Sequence, residues 1–128
     1  MHNYHNLQIW QNSMDIVQRI YEIVATFPTM EKYGLSSQIT KSAVSIPSNI
    51  AEGAGRKTDK DFMHFLSIAT GSMFELETQI LIAERIGYIT QEQSLSLQKS
   101  IHDLQRMSTG FAKNLEQKSN SAQHDQTT

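Results

Sequence analysis

An all-α, antiparallel up-down-up-down four-helix bundle is the fold this sequence predicts, on three observations. Apolar residues recur at alternating spacings of three and four through almost the whole chain. No segment alternates with the period of two that a half-buried strand needs. Only two prolines and six glycines punctuate 128 residues, and most stand at candidate helix ends. Four helices joined by short connections bury their apolar faces best as a bundle.

The first helix shows Leu7, Trp10, Met14, Val17, Tyr21 and Val24 on one face. It should stop near Phe27-Pro28, because the residue before a proline is pushed out of the α region. Leu35, Ile39, Ala43, Ile46 and Ile50 outline the second helix. Pro47 removes one of its hydrogen bonds, but the apolar spacing keeps phase across it, so one kinked helix is expected to about Gly53. Thr58 with Asp61 reads as an acidic capping box for the third helix, which carries Phe62, Leu66, Ala69, Met73, Leu76, Ile80 and Ala83. Gly87 is its natural stop. Thr90 with Gln93 opens the fourth, with Leu97, Ile101, Leu104, Met107, Phe111 and Leu115. The bundle domain should occupy residues 1–116. Residues 117–128, QKSNSAQHDQTT, have almost no apolar content and predict a disordered polar tail.

Composition narrows the function classes. The absence of cysteine removes disulfides, thiolate metal sites and cysteine nucleophiles, and fits a reducing compartment. A formal charge of −2 argues against a protein that coats DNA. The first residues lack the cationic and apolar regions of a signal peptide, and no apolar run reaches the roughly 18 residues of a membrane span. A single cytoplasmic domain is expected, with no membrane partner.

Two features exceed what one bundle needs. The first helix has a second stripe, Ile9, Ile16, Ile20, Ile23 and Phe27, and the third carries Met63, Phe65, Phe74, Leu81 and Ile82 off its main seam. A bundled helix needs about three apolar positions in seven. The surplus predicts a homo-oligomer, with Ile9, Ile16, Ile20, Ile23 and Phe74 at the interface. The second feature is a line of short uncharged side chains. Gln38, Ser42, Ser45, Asn49 and Glu52 follow one another at spacings of four and three, and Ser72, Glu75 and Gln79 form a similar line beyond Gly71, which should allow close backbone approach. Such residues make poor solubilising surface, so they predict a polar network between helices or between subunits that fixes register.

Signals for catalysis are weak. GAGRKT at 53–58 lacks the spacing and the preceding strand of a phosphate-binding loop. Asp61-x-x-His64 is a single half of the paired motifs of a two-metal bundle, and His2, His5 and His102 stand apart. No nucleophile with a base and an orienting acid can be read from the spacing. The expectation is no enzyme, no metal and no cofactor. Arg56, Lys57 and Lys60 against Asp59 leave a local excess of positive charge between the second and third helices. Repeated around a ring, that rim could hold phosphate backbones of RNA or DNA. The competing expectation is an adaptor that docks the helix of a protein partner on its apolar stripes.

FPTMEKYGL (27–35), SQI (37–39), AVSIPSNIAEGAGR (43–56) and FLSIATGSMFELETQI (65–80) closely resemble the four-helix bundle proteins encoded in intervening sequences of large-subunit ribosomal RNA genes. The resemblance covers about residues 7–115. That family is similar in fold to the accessory protein of diversity-generating retroelements, which binds a reverse transcriptase and nucleic acid. The resemblance implies a homopentamer and a role in packing and inter-helix hydrogen bonding for Ser45, Asn49, Glu52, Gly53, Ser72 and Glu75. It implies no defined activity.

Overall fold

The computed structural model describes the backbone of residues 1–127 and the side chains of residues 1–121. Four helices carry the fold: α1 (Gln8–Val24), α2 (Leu35–Ala54), α3 (Asp59–Arg85) and α4 (Gln91–Thr127). Short 3₁₀ turns at Tyr4–Asn6 and Thr29–Glu31 complete the described elements, and no strand occurs among them. α2 packs on α3, α3 on α4, and α1 on both α2 and α4; α1 and α3 do not touch.

The ends of the helices follow local chemistry. Glu31 accepts the Leu35 backbone N–H at 3.1 Å, which serves an orphan donor of the first turn of α2 that Gly34 cannot serve. Thr58 accepts from the Asp61 N–H at 3.1 Å, and Asp59 and Asp61 place negative charge at the positive end of α3. α3 closes in a Schellman motif: Gly87 has φ +86°, its N–H reaches the Glu84 carbonyl at 3.0 Å, and that of Tyr88 reaches Ala83 at 2.9 Å. Thr90 and Gln93 form the reciprocal capping box of α4, at 2.9 and 3.1 Å. α2 runs unbroken through a buried Pro47, as its apolar phase predicts.

The core contains Ile39, Ile46 and Ile50 of α2, Phe62, Leu66, Met73, Leu76 and Ile80 of α3, and Leu97, Ile101 and Leu104 of α4. Gly53 lets α2 and α3 meet at their joined ends. A Cβ there would lie 2.7 Å from Phe62 Cδ1 and 2.8 Å from Phe65 Cβ.

One expectation is corrected. On α1 the inward stripe is the isoleucine one: Ile9, Ile16 and Ile20 are buried in the chain's own core, and Ile23 is half-buried against it. Ile9, Ile16 and Ile20 are therefore taken up by the core and not available to an oligomer interface. The stripe expected inside is only partly buried: Leu7, Trp10, Val17 and Val24 pack against the core, while Met14 and Tyr21 are 43% and 53% exposed. The two stripes lie about 110° apart around the helix at roughly 100° per residue. Periodicity reveals both stripes but not which one turns inward. Phe27 decides the matter here, because it extends the isoleucine stripe and packs its ring on Tyr88 at 5.2 Å.

Helix α4 is described as far as Thr127, through the stretch 117–127. Neither glycine nor proline follows Gly110, and extending an existing helix needs no new nucleation. Residue 128 and the side chains from 122 onward lie outside the described residues.

Candidate functional site

α2 and α3 present their polar lines to each other across a groove of about 470 Å³, lined by Gln38, Lys41, Ser42, Ser45, Ser72, Glu75 and Gln79. Helical spacing explains the convergence. Ser42, Ser45 and Asn49 recur at three and four residues, so they share the flank of α2 that turns to α3, and Ser72, Glu75 and Gln79 do the same on α3.

Ser45 Oγ and Ser72 Oγ lie 2.8 Å apart and form the inter-helix bond at the groove floor. Asn49 Nδ2 donates to the Ser45 carbonyl at 2.8 Å and to its hydroxyl at 3.0 Å, which orients that hydroxyl toward α3. Ser42 Oγ reaches toward Glu75 Oε2 at 3.5 Å, a long contact. Gln79 Oε1 is buried and has no partner within the chain. A satisfied buried hydrogen bond contributes about 1 kcal/mol net, whereas an unpaired buried acceptor costs about 1–3 kcal/mol. The groove therefore holds one closed network and one open acceptor.

The structure brings together most of the residues singled out from sequence. Gln38, Ser45, Ser72 and Glu75 line one groove, with Asn49 behind it. Glu52 is elsewhere: it pairs with Arg56 at 2.7 Å on the open surface, and Arg56 also stacks over the Phe65 ring at 4.6 Å. Of the basic rim, Arg56 is thus already engaged, while Lys57 and Lys60 are exposed. Asp59 sits 3.4 Å from the His2 imidazole. Gly71, expected to permit close backbone approach, faces open space, and Gly53 performs that role instead. Phe74 is exposed on α3, at 54%.

Sequence reasoning missed Lys41, which stands on an exposed position at the groove rim. It also missed Arg19, whose guanidinium donates to Ser100 at 2.7 Å and Ser96 at 2.9 Å and so ties α1 to α4. The spacing of Ser96 and Ser100 by four was the available signal, but nothing local names a partner 77 residues away.

The chemistry of the groove is that of hydrogen bonding. Its serines bond to each other or to Glu75, and no imidazole lines it to take a proton. Among the described residues there is no group of three or more His, Asp or Glu placed to hold a metal ion. His102 faces Glu77 across α3 and α4 as a surface pair. No helix is long and apolar enough to cross a membrane.

The fold is shared with known proteins. The sequence pattern of the 23S rRNA-intervening sequence protein family matches residues 5–110. A crystal structure of a protein of unknown function from the S23 ribosomal protein family of Bacteroides thetaiotaomicron superposes with a TM-score of 0.76 at 26% identity. The match covers 82% of this chain and 98% of that one. No curated protein shows significant sequence similarity. With four helices and a family match over residues 5–110, the chain belongs to the 23S rRNA-intervening sequence protein family.

Proposed function

We propose that this chain is a non-catalytic assembly module that works as a homo-oligomer, five antiparallel up-down-up-down bundles in a ring, in the cytoplasm. The observation that carries this reading is the apolar surface left on α3 after the core is complete. Ile68, Phe74, Leu81, Ile82 and Ile86 remain 40–54% exposed. Scattered apolar residues are ordinary on a surface, but four on one helix and a fifth at its C-cap favour a covering partner. The number five and the helix directions rest on the resemblance of residues 27–35, 43–56 and 65–80 to the family.

In the ring, the connection between α2 and α3 recurs on each copy, and Arg56, Lys57 and Lys60 supply a site for RNA or DNA of a ribonucleoprotein or reverse-transcriptase complex. Arg56 contributes less than the lysines, because Glu52 already neutralises it. A second reading, an adaptor for a partner protein, draws on the open groove of about 570 Å³ beside Tyr21, Phe27 and Tyr33.

Light scattering behind size exclusion, with absorbance at 260 and 280 nm, tests the proposal. A mass near five chains supports the ring, and excess absorbance at 260 nm supports a nucleic-acid ligand. Binding to RNA that survives reversal of Arg56, Lys57 and Lys60, or that ignores salt, overturns the rim. A single-chain mass overturns the assembly reading and favours the adaptor.

A further inference from the structure

The joint between α2 and α3 carries flat side chains as well as charge. Gly53, in the last turn of α2, lets α3 approach so closely that an added Cβ would lie 2.8 Å from Phe65 Cβ. Phe65 is thereby fixed against the end of α2, and the chain leaving that end lays Arg56 over its ring. Arg56 Cζ lies 4.6 Å from the Phe65 ring centroid. One guanidinium nitrogen donates to Glu52 Oε1 at 2.7 Å, so an edge of the plane is held as well as a face. The Arg56 side chain is still 46% exposed. His64 sets its ring edge-on to Phe65, with centroids 5.5 Å apart. Lys57, next in the chain, and Lys60, about one turn on, are exposed. Among the described residues neither lysine pairs with a carboxylate.

These groups suit different parts of a nucleic acid. A lysine ammonium is a point charge that meets a phosphate. Arg56 has its charge offset by Glu52, so it draws a phosphate less than either lysine does. What it still offers is a planar, weakly hydrated face. Unpaired nucleobases stack on guanidinium planes as they do on aromatic rings. Phe65 and Glu52 hold this plane before any ligand arrives, which lowers the ordering cost of binding. Bases within a duplex are covered on both faces by their neighbours and cannot use it. A free phosphate would occupy the lysines and leave the plane idle.

We infer that Arg56, backed by Phe65, is a stacking platform for an unpaired base whose flanking phosphates lie on Lys57 and Lys60. The rim therefore takes single strands in preference to duplexes. This rests on the nucleic-acid reading of the rim above and names its substrate class.

Fluorescence anisotropy tests it with one labelled sequence, prepared as single-stranded RNA, as single-stranded DNA and as each annealed to its complement, over a range of salt. Single strands are expected to bind about tenfold tighter than duplexes. Arg56→Lys keeps the charge and loses the plane. It should weaken single strands about tenfold and leave both the duplex affinity and the salt slope unchanged. Lys57→Gln should weaken both forms and reduce the single-strand salt slope by about 0.7. The tighter of the two single strands identifies RNA or DNA as the ligand, and equal affinity places recognition on base and phosphate alone. Duplexes that bind as tightly as single strands overturn the platform while the rim stands. So does an Arg56→Lys chain with unchanged single-strand affinity, or one whose salt slope falls as in Lys57→Gln. Failure of every probe to bind the unmodified protein overturns both readings.

Discussion

α2 and α3 meet along two seams whose chemistry is opposite. On the inner one, Ile39, Ile46 and Ile50 face Leu66, Met73, Leu76 and Ile80, all buried. On the outer one, Ser42, Ser45 and Asn49 face Ser72, Glu75 and Gln79. The inner seam stabilises in proportion to the area it removes from water, whatever the detailed pairing. The outer seam contributes only where donors and acceptors match, and it is incomplete by one acceptor. One seam therefore holds the helices together, and the other selects the register in which they sit.

The strongest way to break the comparison is in the core. Leu76→Ala should cost about 2–5 kcal/mol in denaturant unfolding, because it removes apolar burial and leaves a cavity. Gly53→Ala comes next, at about 1–3 kcal/mol. Its Cβ would meet backbone-proximal Phe65 Cβ at 2.8 Å as well as the Phe62 ring, and neither can swing clear without moving a helix. Ser45→Ala should cost about 1 kcal/mol, since it strands the Ser72 hydroxyl. A loss as large as that of Leu76→Ala would contradict the division between the two seams.

Gln79→Leu sharpens the comparison, because its sign differs from the rest. It should stabilise the chain by about 1 kcal/mol in denaturant unfolding, by deleting a buried acceptor that has no partner among the described residues. Glu52→Gln should have the smallest effect, about 0.3–0.5 kcal/mol, because its pair with Arg56 is solvent-exposed and screened. That residue shares the sequence line of Ser45 and Asn49 but not their groove, so a larger loss would place it back in the network.

The legibility of the molecule in its sequence divides along the same physical boundary. The Thr58 and Thr90 caps, the Gly87 stop and the passage of α2 through Pro47 were all readable. Each depends on residues within a turn of one another. Ser45 and Ser72 were readable as members of polar lines, because their spacing placed each line on one flank. Their mutual bond was not, since the lines are 27 residues apart and several registers would bring serines together. Lys41 gave no signal, being one exposed lysine among others. Gly71 looked like the site of close approach by its place beside Ser72, yet it faces solvent, and Gly53 at the end of α2 is the crowded glycine.

The sequence by itself determined that the chain is helical, where α2 and α3 begin and end, and that more apolar surface exists than one core consumes. Those are properties of local hydrogen bonding and of a fixed 3.6-residue period. Only the tertiary structure decided that the isoleucine stripe of α1 faces fully inward, while the other stripe packs only partly and leaves Met14 and Tyr21 exposed. It also decided that Gln79 is buried without a partner. A helix can rotate about its axis without changing its period, so the face that it buries is chosen by what the other three helices present to it.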